Sequence, residues 1–249
     1  MEEKTNQFPT EEVTLPSKGL LYSKDSPLST GVLEMKYMTA REEDILTNQN
    51  LIENGTVIDK LLQSLIVTPI DYNDLLLGDK NAVLIAARIL GYGKDYTFNF
   101  NGEEKTIDLT EVKDLNLDKS LIKEGKNEFE FQLPTSKVLV TFKLLTHGDE
   151  QKIDKEIKGL KRLNKNISYD LSTRMKYIIT SVDRDTDTKV IREFVDNQLL
   201  ARDSRELRNY ISKIQPNVDL TFEYESRNGD LKTSSIPVGL NFFWPDAQL

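Results

Sequence analysis

The sequence predicts an α+β protein, and three features carry that prediction. Tyr96, Phe98 and Phe100 alternate up to Asn101-Gly102, Ile107 and Leu109 alternate beyond it, and a similar pattern surrounds Asn228-Gly229. Asn-Gly between alternating segments is the strongest short signal for a β-hairpin. Elsewhere apolar residues recur at helical spacing, as in Val57, Ile58, Leu61, Leu62, Leu65 and Ile66. The second half reads strand-strand, helices, strand-strand, the segregated order of an α+β lobe. The expected architecture is a mixed helical N-terminal lobe with a β-hairpin, then a C-terminal lobe of antiparallel strands flanking a group of about four helices.

In chain order, residues 1–12 are polar and acidic and read as a flexible leader. Leu15-Pro16-Ser17-Lys18-Gly19-Leu20-Leu21-Tyr22 follows as a turn built on Pro16 and Gly19 with apolar flanks. Val32, Leu33, Met35 and Tyr37 suit a strand, and Thr39-Ala40-Arg41-Glu42 has the spacing of a capping box that starts a helix at Ala40. Gly55-Thr56 opens the helix of Val57 to Ile66, which Pro69 closes. Asp79 to Leu90 is apolar nearly all round, the mark of a helix buried on most sides, and Gly91-Tyr92-Gly93 ends it as a C-cap. The Asn101-Gly102 hairpin completes a lobe over 13–115, and the charged, weakly periodic stretch 116–126 reads as a linker.

In the lobe over 127–249, Phe129, Phe131 and Leu133 form a strand, Pro134-Thr135-Ser136 a turn, and Val138, Val140, Phe142 and Leu144 a second strand. Ile153, Ile157, Leu160 and Leu163 line a first helix; Leu171, Met175, Ile178, Ile179 and Val182 line a second. A third runs near Thr188 to Asn197, and a fourth starts at Asp203 or Ser204 and ends before Pro216. Leu220, Phe222 and Tyr224 then alternate into the Asn228-Gly229 turn, and Leu231 to Val238 returns.

Composition narrows the function classes. The 249 residues can bury a sizeable core, and no apolar run approaches the length of a bilayer span, so no membrane partner is expected. A net charge of −8 argues against binding the phosphate backbone of nucleic acid. The first residues carry no basic patch followed by an apolar segment, which points to folding in a cytoplasm. With no cysteine, disulfides, thiolate metal sites and cysteine nucleophiles are absent. His147 stands alone, and no Gly-x-Ser-x-Gly elbow exists to pair with it. No catalytic residue, cofactor or metal ligand is assigned.

The candidate partner-binding residues are Leu15, Pro16, Ser17, Lys18, Gly19, Leu20 and Tyr22, and at the other end Phe242, Phe243 and Trp244. Two readings of the first group stand open: a docking hook, or a segment packed on its own lobe. Three consecutive aromatics on a strand cannot all face one side, so the second group presents a ring to a partner or folds inward. His147 in Thr146-His147-Gly148-Asp149 belongs to the start of a helix. From His147 to Lys176, eight Lys and Arg face five Asp and Glu in alternating sign, the pattern of a solvated helix face. Asp183 to Asp187 lacks the glycine and bidentate glutamate of a calcium loop and reads as a surface turn.

Several of these phrases share an order with a known family. Leu15-Pro16-Ser17-Lys18-Gly19, then Met38-Thr39-Ala40-Arg41-Glu42-Glu43, then Ile58-Asp59-Lys60-Leu61-Leu62, then Arg88-Ile89-Leu90-Gly91-Tyr92-Gly93, with Phe242-Phe243-Trp244-Pro245 at the end, together resemble the baseplate hub and hub-assembly proteins of T-even-like contractile-tailed bacteriophages. The resemblance implies a non-enzymatic tail morphogenesis protein, a hub subunit or assembly factor that contacts other hub or tail proteins. It would act in the host cytoplasm during assembly or reside in the virion baseplate. Some relatives carry cysteine pairs in the hairpin after Gly-Tyr-Gly; here Asn101-Gly102 makes that turn, which excludes a metal-stabilised version. A tail-associated wall-degrading hydrolase and a transient chaperone for another hub protein are the alternatives, and self-association is left open.

Overall fold

A computed structural model of the protein describes residues 9–115, 117–164, 168–225 and 229–243. The fold is α+β, with helices and several small antiparallel sheets. The first ribbon pairs β1 (Thr10–Thr14) with β2 (Val32–Lys36), Thr10 opposite Lys36, and turns Leu33 and Met35 into the core. Pairing therefore begins at Thr10, inside the stretch expected to be a flexible leader, because Val13 and the backbone of β1 complete the ribbon. Three helices follow: α1 (Ala40–Leu46), α2 (Gln49–Glu53) and α3 (Val57–Leu65). The Glu42 carboxylate accepts from the Thr39 N–H, as the capping-box spacing requires, and also from the Thr39 hydroxyl.

Helix α4 (Leu77–Tyr92) is buried on most sides, through Gly78, Asp79, Ala82, Val83, Leu84, Ile85, Ala87 and Arg88. It ends at Gly93, whose φ of 83° lies in the left-handed region that favours glycine. The hairpin of β3 (Asp95–Phe100) and β4 (Glu103–Asp108) turns at Asn101-Gly102, both at positive φ.

In the second half, β5 (Phe129–Gln132) and β6 (Leu139–Phe142) precede α5 (His147–Leu163) and α6 (Asp170–Ile178). The expected second helix stops early: Ile179 to Val182 forms β7 (Ile179–Val182), which pairs antiparallel with β6 and makes a three-stranded sheet. Ile179 and Val182 fit the 3.6 spacing, but their β-branched run is better placed on the open edge of β6. Helices α7 (Thr188–Asn197) and α8 (Ala201–Ile214) follow.

The closing ribbon, β8 (Thr221–Glu225) with β9 (Leu231–Ser235), and the short α9 (Leu240–Phe243) pack with the N-terminal half. Phe222 meets Phe98 and Phe100, and Tyr224 meets Phe100, at ring separations of 4.8–5.1 Å. Backbone bonds from Leu115 to Asn217 and from Asp219 to Lys113 lead the chain back. Each ribbon has one aromatic face, and these faces bury each other. One hydrophobic cluster accordingly contains residues from both halves, from Leu15 to Phe243. No described helix is long and apolar enough to cross a membrane.

Candidate functional site

The Leu15–Tyr22 segment is a pair of tight turns, with Lys18 N–H donating to the Leu15 carbonyl and Leu20 N–H to that of Ser17. Lys18 and Gly19 both sit at positive φ, and a Cβ on Gly19 would lie 2.2 Å from the Ser29 carbonyl oxygen. Glycine is needed here for conformation and for close approach together. Leu15, Pro16, Ser17, Gly19, Leu21 and Tyr22 are buried, Leu20 is partly buried, and exposed Lys18 pairs with Asp114.

What holds this segment is Asp79, fully buried in the first turn of α4. Its Oδ1 accepts the Ser17 N–H at 2.9 Å, and its Oδ2 accepts the Tyr22 hydroxyl at 2.6 Å; that hydroxyl in turn accepts the Leu76 N–H at 3.0 Å. Burial raises the Asp79 carboxyl above the ordinary range, against the lowering effect of these hydrogen bonds. Its place near a helix N-terminus favours the anion. The hook is thus docked on its own chain, and its apolar side chains reach a partner only if that anchor opens.

The other candidates gather at the far end of α4. Phe242 and Phe243 are both fully buried, Phe242 edge-on to Tyr96 at 4.7 Å. Because the segment is helical, consecutive side chains diverge by about 100° and both find core, so the strand argument for an outward ring does not apply to these two. Trp244 lies outside the described residues. Beside them Arg88 donates to the carbonyls of Gly93 and Asp95 and lies over the rings of Tyr92 and Tyr96, clamping the end of α4 to the start of β3.

His147 occupies a junction between α4 and α5. Thr146 and Asp149 cap α5 reciprocally, as the sequence indicated, while the His147 N–H donates to the Leu75 carbonyl. Lys80 Nζ lies 3.3 Å from the imidazole Nδ1 and 2.6 Å from Asp59 Oδ1; Asp59 Oδ2 lies 3.7 Å from Nε2. An ammonium only donates, which assigns the imidazole proton to Nε2. The Gln151 side-chain amide is 2.9 Å from Nε2 and, with the proton on Nε2, must turn its oxygen rather than its nitrogen toward the ring to accept it, while the Tyr72 ring stands edge-on to the imidazole. The basic nitrogen is occupied by Lys80, so the arrangement serves as a polar clamp and offers no free base.

Burial, and then Lys80, lower the His147 pKa below its ordinary value. A depressed folded value means the unfolded chain takes the proton first. Stability is then full above about pH 6.5 and is lost as the pH falls through the lowered value. His147→Gln is expected to flatten that loss, measured as the difference in urea midpoint between about pH 7 and about pH 5; an unchanged slope would remove His147 from the account.

An open depression of about 370 Å³ lies on the seam between the β3–β4 and β8–β9 ribbons, lined by Asp108, Glu111, Lys113, Asp219, Phe222 and Ile236 among others. Two of its carboxylates already have partners: Asp108 binds Lys94 and Thr110, and Asp219 accepts from the Thr221 hydroxyl. Hydrogen bonds from Lys94 and Thr110 hold Asp108 at about 2. Among the described residues, no group of three or more His, Cys, Asp or Glu is placed to hold a metal ion.

Sequence reasoning missed Asp79, Arg88 and the Asp59–Lys80 pair as anchors. The available signal was an Asp in the first turn of an otherwise apolar helix, but its partners lie 57 and 62 residues away. Comparison of the chain with protein-family models, with curated proteins and with solved structures finds no match.

Proposed function

We propose that the chain is a non-enzymatic component of contractile-phage tail assembly, acting in formation of the central baseplate hub through protein–protein contacts. The observation that carries this reading is the convergence of the resembling phrases on one element. Ser17 bonds to Asp79 at the start of α4, and Arg88 to Gly93 forms the end of that helix. Phe242 packs on Tyr96 just beyond it. Leu61 and Leu62 of α3 are fully buried in the same cluster, and Glu42 of α1 accepts hydrogen bonds from Lys36 and Ser64 beside them. Phrases spread over some two hundred residues thus build one scaffold, which is what a resemblance in fold requires of them.

The experiment is co-expression of the tagged full chain with the tail and hub proteins encoded alongside it. Stoichiometric co-purification with a hub protein is expected. Recovery of the chain alone, with hub complexes forming normally in its absence, would overturn the reading. Mass spectrometry of finished virions beside hub intermediates then separates a permanent subunit, present in both, from an assembly factor confined to intermediates.

A further inference from the structure

The charge of this protein is polarised along its sequence. Residues 137–214 hold seventeen Lys and Arg against twelve Asp and Glu, a surplus of five, while the remainder holds sixteen against twenty-nine. The structure sharpens this on α5, whose charges alternate in sequence but are sorted in space. Asp149 is bound by Lys143, Glu150 by Arg174 through two hydrogen bonds, and Glu156 by Arg192 and Tyr177. Lys152, Lys155, Lys158, Lys161 and Arg162 are all exposed, and none has an ion-pair partner among the described residues. With the acids turned inward and neutralised, Asp154 is the remaining acid of the helix.

At about 100° per residue, Lys155, Lys158 and Arg162 fall in one stripe opposite the buried Ile153 and Ile157. Neighbours in that stripe stand about 5–6 Å apart. The complementary feature lies in the acidic part of the same chain. The β1–β2 register sets Glu12 directly opposite Glu34, both exposed. The Thr10 hydroxyl donates to Glu34, yet neither carboxylate has an ion-pair partner among the described residues. Like charges directly opposed across a ribbon are unfavourable, and their Cβ atoms sit about 4.5–5.5 Å apart, close to the spacing between neighbours of the basic stripe.

We propose that the Lys155/Lys158/Arg162 face of α5 docks on the Glu12/Glu34 face of a second copy of the chain. The two patches differ, so the contact is head-to-tail and generates a ring or an open chain. The inference rests on charge and geometry and stands apart from the phage reading.

Sedimentation of the full chain in about 0.1 M and about 1 M salt tests it, since the screening length falls from roughly 10 Å to roughly 3 Å between them. Self-association is expected in the lower salt and should weaken at least about tenfold in the higher. Lys155→Glu/Lys158→Glu/Arg162→Glu and, separately, Glu12→Lys/Glu34→Lys should each be monomeric with an unchanged circular dichroism spectrum. Mixed together they should associate, because the two reversed faces are complementary to each other and the two native faces can meet as in the wild type. A wild-type monomer in low salt, association of either variant alone as strong as the wild type's, or a mixture that stays monomeric would overturn the proposal. So would a monomeric wild type that captures a duplex oligonucleotide through the stripe, which would reassign that face to phosphate.

Discussion

Replacing Gly78 by alanine is expected to unfold the protein or to remove about 4 kcal/mol or more of its stability. On helix propensity alone the sign would be opposite, because alanine in a helix is worth roughly 0.5–1 kcal/mol over glycine. Geometry decides the matter. A Cβ at position 78 would lie 1.7 Å from the Pro216 carbonyl oxygen, 2.7 Å from its carbonyl carbon and 3.2 Å from the Asn217 Cα. All of these are backbone atoms, so no side chain can rotate away, and Pro216 has a fixed φ.

Nor can the 216–219 strip move freely. Asn217 Oδ1 accepts from Asn81 and from the Val218 N–H, and the strip is hydrogen-bonded to Lys113 and Leu115. Relief of the clash would break the seam that returns β8 and β9 to the N-terminal half. Gly159→Ala in α5 is the control: nothing lies within 4 Å of its added Cβ, and a gain of about 0.5–1 kcal/mol is expected. Urea denaturation of the two variants beside the wild type reads both signs; a neutral Gly78→Ala would mean that this close approach does not exist.

The contrast between Gly78 and Gly159 also shows where sequence reading ends. Local rules were legible: the Asn101-Gly102 hairpin, the Thr39–Glu42 box, the bounds of α7, the stripe of α3 and that of α5 as far as Leu160 all come from residues within a few positions of one another, whereas Leu163, expected on the same face, is exposed. The unread features depend on distant partners. Asp203 gives no local sign that it caps the Thr135 and Ser136 N–H groups 68 and 67 residues earlier. Ile179 to Val182 satisfied helical spacing until β6 supplied an edge. The charges of α5 alternate in sign, and only the positions of Lys143, Arg174 and Arg192 decide which remain unpaired. For the hook, the sequence offered two readings of equal standing, and what packs it on its own chain is one carboxylate in another element.

That carboxylate sets the second large expectation. Asp79→Ala should destabilise the fold by about 3–5 kcal/mol, since it leaves the Ser17 N–H and the Tyr22 hydroxyl buried without acceptors at roughly 1–3 kcal/mol each. Opposing this, the substitution also removes a buried carboxylate that has no ion-pair partner among the described residues, whose desolvation is itself unfavourable. The pH separates the two effects. Burial raises the folded-state pKa of Asp79 above its unfolded value, so the native state holds the proton more tightly. The associated stability is fully present below the ordinary carboxylate pKa of about 4 and is lost as the pH rises through the raised value.

Asp79→Asn keeps an acceptor for Ser17 but has no proton to hold. The wild type's advantage over it should therefore be greatest near about pH 4 and shrink toward neutrality. An advantage that grows with pH would mean the carboxylate is stabilised as the anion, by the α4 dipole and its donors, more than burial penalises it. Release of the segment has its own readout. Lys18 and Lys24 are exposed, and limited trypsin digestion of Asp79→Ala should cut after them while the wild type is spared at Lys18, whose flanking backbone is held in the tight turns. Equal cutting in the two proteins would show that the turns, and not Asp79, hold the hook.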